Sequence, residues 1–410
     1  MALNSSGPIG LGGTAVGRSI ELELGMSGTS TISMNDAVVR TLLGVPSGTI
    51  SLSAAYGKSN APIIPPANGG YVGSANFTST TLTGGDATTK NWTVLPPKAI
   101  AYGNGTFVVP GYYNLDGNYL PRADCMTSTD GVNWVSQAVN FAAAVAPLYV
   151  STVQILDVVW TGMVFFAVGT MNAGVSSPDG ANWTRNAQIT SLATGWAGAS
   201  GRYNSITSNG GGRLVAVGLG GVNAYSNDHG ATWAMSTDAL ISGYSWLSVC
   251  WTGTKFVAVG KGRCGWSTDG ITWTQSTNFN TLVGGSSSLP NSVCWTGTKL
   301  IVVGADSTGA VLCATSPDGV TWTKQAGLGT AIGSGATTVP QKVLWTGTYA
   351  ISVGMGGKYA TSPDGITWTN QAAYTTTVGS GNVIYGIVQS QSKLVIVGGN
   401  TPSSFAIRIG

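Results

Sequence analysis

Acid–base or nucleophilic catalysis needs titratable side chains that can meet, and this sequence holds few of them. Glu21 and Glu23 are its only glutamates, and both precede residue 60. Six aspartates, Asp130, Asp179, Asp228, Asp269, Asp318 and Asp364, belong to one recurring turn string. The others beyond residue 60 are Asp86, Asp116, Asp124, Asp157, Asp238 and Asp306. Asp116 and Asp124 share the stretch NLDGNYLPRAD with Arg122. Glycoside hydrolysis needs two carboxylates about 5–9.5 Å apart; the plainer reading is a turn aspartate beside a surface ion pair. His229, the single histidine, lies inside the turn string with no visible partner for a triad. The five cysteines form no Cys-x-x-Cys, and one histidine adds little to a zinc site. Cys250 and Cys294 recur in the same context, SVCW, and read as small buried hydrophobes. One carboxylate per turn is too few for Ca²⁺, and no glycine-rich phosphate loop leads from a strand into a helix. The expectation is no catalytic residue, no metal and no cofactor.

The composition says what kind of scaffold carries these residues. Only 8% of the 410 residues are charged, while 61 are glycine. Helical proteins cover exposed faces with Glu and Lys; here Gly, Ser, Thr and Asn take that role, which suits a turn-rich all-β chain. A net charge of +3 is too small and diffuse for a nucleic-acid footprint. There is no apolar run of about 20 residues for a membrane span. The start, MALNSSGPIGLGG, lacks the charged and apolar regions of a secretory signal. An odd number of cysteines argues against a disulfide framework.

Repeats fix the architecture. Ser-x-Asp-Gly-x-x-Trp occurs at Ser128–Trp134, Ser177–Trp183, Ser267–Trp273, Ser316–Trp322 and Ser362–Trp368. SNDHGATW, one residue longer, runs from Ser226 to Trp233. A second string, WTG followed by an apolar run and Val-Gly, starts at Trp160, Trp251, Trp295 and Trp345. The unit is about 40–50 residues, the length of a four-stranded propeller blade. Taking LSVCW, KFVAVG, GRCGWS and TWTQS as strands a to d, WTGT is the a–b turn and Ser-x-Asp-Gly the c–d turn. Six strings give six blades. The C-terminal IYGIVQS, KLVIVGG and SFAIRIG supply three strands of a seventh, whose fourth strand is expected near residues 90–96, around Trp92. The predicted fold is mainly β: a seven-bladed β-propeller over 89–410, a Pro/Gly-rich linker at 60–88 and a small mixed N-terminal module at 1–59.

The turn string resembles the Asp-box of sialidase-like β-propellers, fully in SNDHGATW and one residue short elsewhere. That resemblance covers residues 90–410 and implies the fold; Asp-boxes lie away from the sialidase active site and many non-enzymes carry them. The stretch ISMNDAVVRTLLGVPSGTISLSAAYGK resembles the N-terminal segments of tailed-bacteriophage tail proteins, through Ile32, Ser33, Asp36, Val39, Arg40, Leu42, Gly44, Val45, Ser47, Gly48, Ile50, Ser51, Tyr56, Gly57 and Lys58. It implies a virion-anchoring module, with Asp36, Arg40, Tyr56 and Lys58 as candidate anchoring residues. The implied partners are other tail or baseplate proteins, with a homotrimer as the implied assembly, made in the host cytoplasm and placed in the virion tail.

Within the propeller, the a–b and c–d turns are nearly identical from unit to unit, whereas the d–a connections differ freely. The first b–c connection, GYYNLDGNYLPRAD, is also long. Variable loops on one face of a rigid scaffold are the usual layout of a binding site. The candidate receptor-binding residues on that face are Trp196, Tyr112, Tyr113, Tyr119, Arg122, Tyr244, Trp246 and Tyr374, with Tyr149 and Arg202 as further members. The expected function is a phage tail fibre or tail-tip protein whose propeller binds a host surface glycan or protein. The alternatives are a virion-associated polysaccharide hydrolase and a purely structural tail component.

Overall fold

A computed structural model describes residues 77–81, 96–114, 121–145, 153–192, 201–236, 238, 244–276, 278–390, 393–400 and 403–409. The chain divides into two units, Met1–Ile63 and Ile64–Gly410. All described residues belong to the second, so Asp36, Arg40, Tyr56 and Lys58 lie outside them, as does Trp92.

The second unit is a β-propeller of seven antiparallel four-stranded sheets. Strands a to d follow chain order in blades 1 to 6, which span 101–136, 155–185, 203–235, 246–275, 289–324 and 340–370. Blade 7 contains Val383–Gln389, Leu394–Asn400 and Ser403–Ile409 as strands a, b and c. Its strand d is Phe77–Thr81, paired antiparallel with strand c from Phe77↔Ile409 to Thr81↔Phe405. The two ends of the domain thus share one sheet, as expected, but the closing strand lies inside the segment read as linker, not at 90–96. FTSTT has the β-branched composition of an edge strand; the attraction of Trp92 as a seventh repeat tryptophan misplaced it.

Strand b explains the uniform apolar runs. FVAVG of blade 4 and its counterparts in blades 2, 3 and 6 are buried at every residue, because both faces of a blade are covered by its neighbours. The Val-Gly that ends these runs has a steric cause. At Gly218 and Gly260 a Cβ would strike the carbonyl oxygens of Arg202 and Ser245, which directly precede the adjacent strand a. In both blades strand a shifts register there, between Tyr203 and Ser205 and between Trp246 and Ser248. The bulge presses strand a onto strand b, and only glycine admits it.

The c–d turn is a closed hydrogen-bond unit. In blade 2, Ser177 Oγ donates to Asp179 Oδ1 at 3.0 Å and accepts the Gly180 N–H at 2.8 Å. Asp179 Oδ1 accepts the N–H groups of Ala181 and Asn182 at 2.9 and 2.8 Å. Gly180 adopts φ +79°, and its carbonyl accepts the Trp183 indole N–H at 2.7 Å. The longer copy absorbs its extra residue by placing His229 at φ +57°. Its Nδ1 lies 3.2 Å from the Thr161 carbonyl in the neighbouring a–b turn, which accounts for the histidine structurally.

Among the described residues, the d–a connections, read as free loops, carry five short helices: α1 (Ala138–Val145), α2 (Ala187–Leu192), α3 (Phe279–Val283), α4 (Gly327–Ile332) and α5 (Ala372–Val378). Each plants an apolar side chain in the core. Phe141 of α1 meets Trp183 of the next blade edge-on at 5.1 Å, and Phe279 of α3 meets Trp322 at 5.2 Å. Asn278 clamps the same tryptophan: its Oδ1 accepts the Trp322 N–H and its Nδ2 donates to the Trp322 carbonyl. The turn-string tryptophan is therefore a socket for the preceding blade's connection.

Candidate binding surface

The axial channel is lined by the innermost strands. A cavity of about 380 Å³ lies along it, bordered by residues from strand a of several blades. One register position carries polar groups in five successive blades: Asp157, Ser205, Ser248, Ser292 and Lys342. They form a belt. Asp157 Oδ2 accepts the Ser205 hydroxyl at 2.8 Å and the Ile206 N–H at 3.0 Å. Ser205, Ser248 and Ser292 then accept the N–H groups of Val249, Val293 and Val343 at 3.2–3.3 Å. The corresponding residues of blades 7 and 1 are Gly386 and Ala99, which carry no polar group. Lys342 spans that gap, its Nζ 3.5 Å from Asp157 Oδ1. The recurrence of one polar residue in an otherwise apolar strand was a visible signal that the sequence reading left unused.

The predicted surface residues fall into four groups. Tyr244 is exposed, with the Arg263 guanidinium 3.5 Å from its ring centroid. Trp246 and Tyr374 are buried, 2% and 4% exposed, and offer no contact surface. Trp246 opens strand a of blade 4, and Tyr374 of α5 stacks on Tyr359 with ring centroids 4.3 Å apart. Both fall in or beside the variable d–a connections, but an aromatic beside a strand or in a short helix is drawn into the core. Tyr112 and Tyr113 are not in a loop: strand b of blade 1 runs Thr106–Asn114 and strand c Pro121–Ser128, pairing Tyr113 with Arg122 and Gly111 with Asp124. The long b–c connection is thus largely a hairpin extension. Trp196, Tyr119, Tyr149 and Asp116 lie outside the described residues.

Sequence reasoning missed the neighbours of Tyr244. Leu219, in the b–c turn of blade 3, and Leu289, which opens strand a of blade 5, are exposed on the same side. They flank Tyr244 and Arg263 around blade 4: Leu219 N–H donates to the Arg202 carbonyl, Lys261 N–H to that of Ser245, and Gly262 N–H to Ser288 Oγ. The other large exposed apolar side chains among the described residues, Val135, Met163 and Ile366, belong to blades 1, 2 and 6.

Carboxylates of the turns and of strand a are engaged in structural bonds. Burial would raise the Asp179 carboxyl, but the Asn182 and Ala181 N–H groups and the Ser177 hydroxyl hold it at about 2. Asp130 is held well below the usual range in the same way. Burial would raise the Asp306 carboxyl as well, but Lys324, whose Nζ lies 2.7 Å away, and Thr308 bring it to about 2. Asp238 accepts the Trp273 N–H at 2.7 Å. Burial, reinforced by Cys313, pushes the Cys294 thiol up to about 12, so it stays protonated at neutral pH.

No protein-family profile matches this sequence, and no curated protein matches it. Solved structures do resemble it. YCF48 bound to D1 peptide superposes with a TM-score of 0.57 at 15% identity, covering 82% of this chain and 96% of that one. YCF48 from Cyanidioschyzon merolae gives 0.49 at 14% identity, over 77% and 96%. The Neurospora crassa Pan2 WD40 domain gives 0.48 at 9%, over 77% and 89%. At these identities the likeness speaks to the propeller fold alone.

Proposed function

We propose that this chain is a non-catalytic receptor-binding protein of a bacteriophage tail. Its N-terminal module docks on tail or baseplate proteins, and the d–a/b–c side of its propeller binds a host surface glycan or protein. The observation that carries the binding face is the grouping of Leu219, Tyr244, Arg263 and Leu289 on three successive blades. Scattered apolar side chains are ordinary on a surface, whereas adjacent ones beside a stacked arginine suit recognition. The extended hairpin of blade 1, which bears Tyr112, Tyr113 and Arg122, belongs to the same side. The resemblance of residues 32–58 to phage tail segments supports the virion assignment and, with it, docking as part of a symmetric tail tip. A binding role without catalysis is supported by the structural employment of Asp157, Asp179, Asp238 and Asp306.

The test is adsorption of the full chain to a panel of bacterial cells, with Tyr244→Ala/Arg263→Ala and the opposite-face Met163→Ala alongside. Cell-surface polysaccharide is assayed for chain cleavage in the same samples. Saturable binding lost in the double variant and kept in Met163→Ala, without cleavage, is the expected result. Cleavage of the polymer, or binding indifferent to Tyr244 and Arg263, would refute the reading.

A further inference from the structure

The belt carries donors that its own bonds leave unused. Ser205 accepts the Val249 N–H and donates its hydroxyl to Asp157. Ser248 and Ser292 accept the N–H groups of Val293 and Val343 in the same way. Among the described residues, however, neither hydroxyl has an acceptor, since the preceding blade offers each a serine where Ser205 meets Asp157. The two serines are 4% and 1% exposed, so these are buried donors, which are unfavourable when unmet. Lys342 adds a third donor group: among the described residues its ammonium meets Asp157 Oδ1 alone, at 3.5 Å.

All three residues line the axial cavity, and the cavity runs from the belt in one direction. Blades 1, 2 and 7 contribute the belt residue and the one after it, whereas blades 3 to 6 line it to the end of strand a. The belt serines are buried, but Ser208, Trp251, Trp295 and Trp345 at those strand ends are half-buried. The cavity therefore opens among the a–b turns, beside blades 3 to 6. Blades 4, 5 and 6 each supply a donor at the belt and an indole three residues further along the strand, a depth of about 10 Å. A volume of about 380 Å³ is at the small end of ligand pockets, about 300–1,000 Å³, and admits a small ligand or a chain end, not a folded partner. Asp157 and Lys342 are the charged residues of the lining, and they offset each other. An anion would meet no net positive charge there, and an apolar ligand would leave the donors unmet. A sugar unit brings hydroxyl and ring oxygens on its edge and C–H groups on its faces, which suits donors at the floor and indoles at the mouth.

We propose that the a–b half of the channel is a saccharide pocket: the end of a neutral glycan chain passes the Trp251, Trp295 and Trp345 indoles, and its oxygens accept hydrogen bonds from Ser248, Ser292 and Lys342. This goes beyond the receptor-binding reading and does not rest on it, because the pocket opens on the side opposite Tyr244 and Arg263. Asp157 holds the Lys342 ammonium at the floor, and the three serines keep their backbone donors while the sugar takes up the free hydroxyl hydrogens of two of them.

The experiment uses the full chain and oligomers of glucose, mannose and N-acetylglucosamine, with an oligomer of galacturonate as the charged counterpart. Affinity is measured by calorimetry at millimolar probe for the wild type, Lys342→Met, Ser292→Ala, Trp345→Leu and Met163→Ala, the last lying in an a–b turn outside the cavity. The expected result is binding of at least one neutral oligomer but not of galacturonate. Each of Lys342→Met, Ser292→Ala and Trp345→Leu should weaken it about tenfold, and Met163→Ala should leave it unchanged. Ser292→Ala also strands the Val343 N–H, so Lys342→Met, which keeps that bond, decides the matter if Ser292→Ala fails to fold. As a second readout, NMR follows the indole N–H signals: those of Trp251, Trp295 and Trp345 should shift with bound sugar, and those of Trp183 and Trp322, bonded within their turns, should not. The proposal is overturned if no neutral oligomer binds, if galacturonate binds as well, if folded Lys342→Met and Trp345→Leu keep full affinity, or if the three indole signals stay in place. Tyr244→Ala/Arg263→Ala should leave sugar affinity untouched whatever it does to cell adsorption; loss of sugar binding in that variant would put the sugar on the other face and overturn the pocket.

Discussion

Asp157→Ala should be far more damaging than Lys342→Met, although the two residues form one ion pair. Asp157 is 8% exposed and accepts four donors: the Ser205 hydroxyl, the Ile206 and Val158 N–H groups and the Lys342 ammonium. Its removal strands the buried Ile206 N–H, at about 1–3 kcal/mol for an unsatisfied buried group. It also takes the acceptor from the Ser205 hydroxyl and the Val158 N–H, at a similar cost for each group, so the total is about 3–5 kcal/mol. Lys342 contributes differently. Its side chain is 31% exposed and its contact is 3.5 Å long, so the pair itself is worth about 1 kcal/mol or less. With methionine at 342, Asp157 keeps its three other donors. The expected losses are about 3–5 kcal/mol for Asp157→Ala and about 1 kcal/mol for Lys342→Met. Urea unfolding followed by tryptophan fluorescence reads both through the shift in midpoint at constant slope. Equal losses, or a larger loss for Lys342→Met, would refute the view that the belt is held by hydrogen bonds to strand a rather than by the charge pair across blades 7 and 1.

Three further outcomes test the scaffold. Gly218→Ala should prevent or severely weaken folding, since the new Cβ would overlap the Arg202 carbonyl oxygen; unchanged thermal stability would contradict the bulge geometry. Phe141→Ala and Trp183→Ala should each cost about 3–5 kcal/mol, with a coupling of about 0.5–1.5 kcal/mol in the double-mutant cycle for the edge-on pair at 5.1 Å; additive losses would mean that α1 does not latch onto blade 2. Stability should also depend on acid. The Asp179 and Asp306 carboxyls titrate near 2 in the folded state, below their ordinary value. Their contribution is therefore complete above the unfolded carboxylate range and disappears as pH falls from about 4 toward 2. Urea midpoints measured from pH 7 to pH 2 should fall mainly in that window, and less steeply in Asp306→Asn; a flat profile would contradict the shifts.

Much of this architecture was written in the chain itself. Ser-x-Asp-Gly-x-x-Trp closes its own turn through bonds between residues two to four apart, so its geometry is local and repeats wherever the string does. The apolar run ending in Val-Gly likewise declares a strand buried on both faces. Six strings and three orphan C-terminal strands sufficed to count seven blades. Which strand completes the seventh was not legible, because FTSTT and KNWTV are both acceptable edge strands, and only pairing with Ser403–Ile409 chooses between them. The fate of the aromatics was equally a tertiary matter. Tyr244, Trp246 and Tyr374 have similar polar flanks in the sequence, yet one stacks under Arg263 in solvent while two are buried by neighbouring strands and helices. Asp157 and Lys342 lie in the second and sixth blades, and no spacing rule links them. Local sequence decides what each turn and strand is able to form; closing the ring decides which side chains share the channel, because that closure brings the second and sixth blades around one axis.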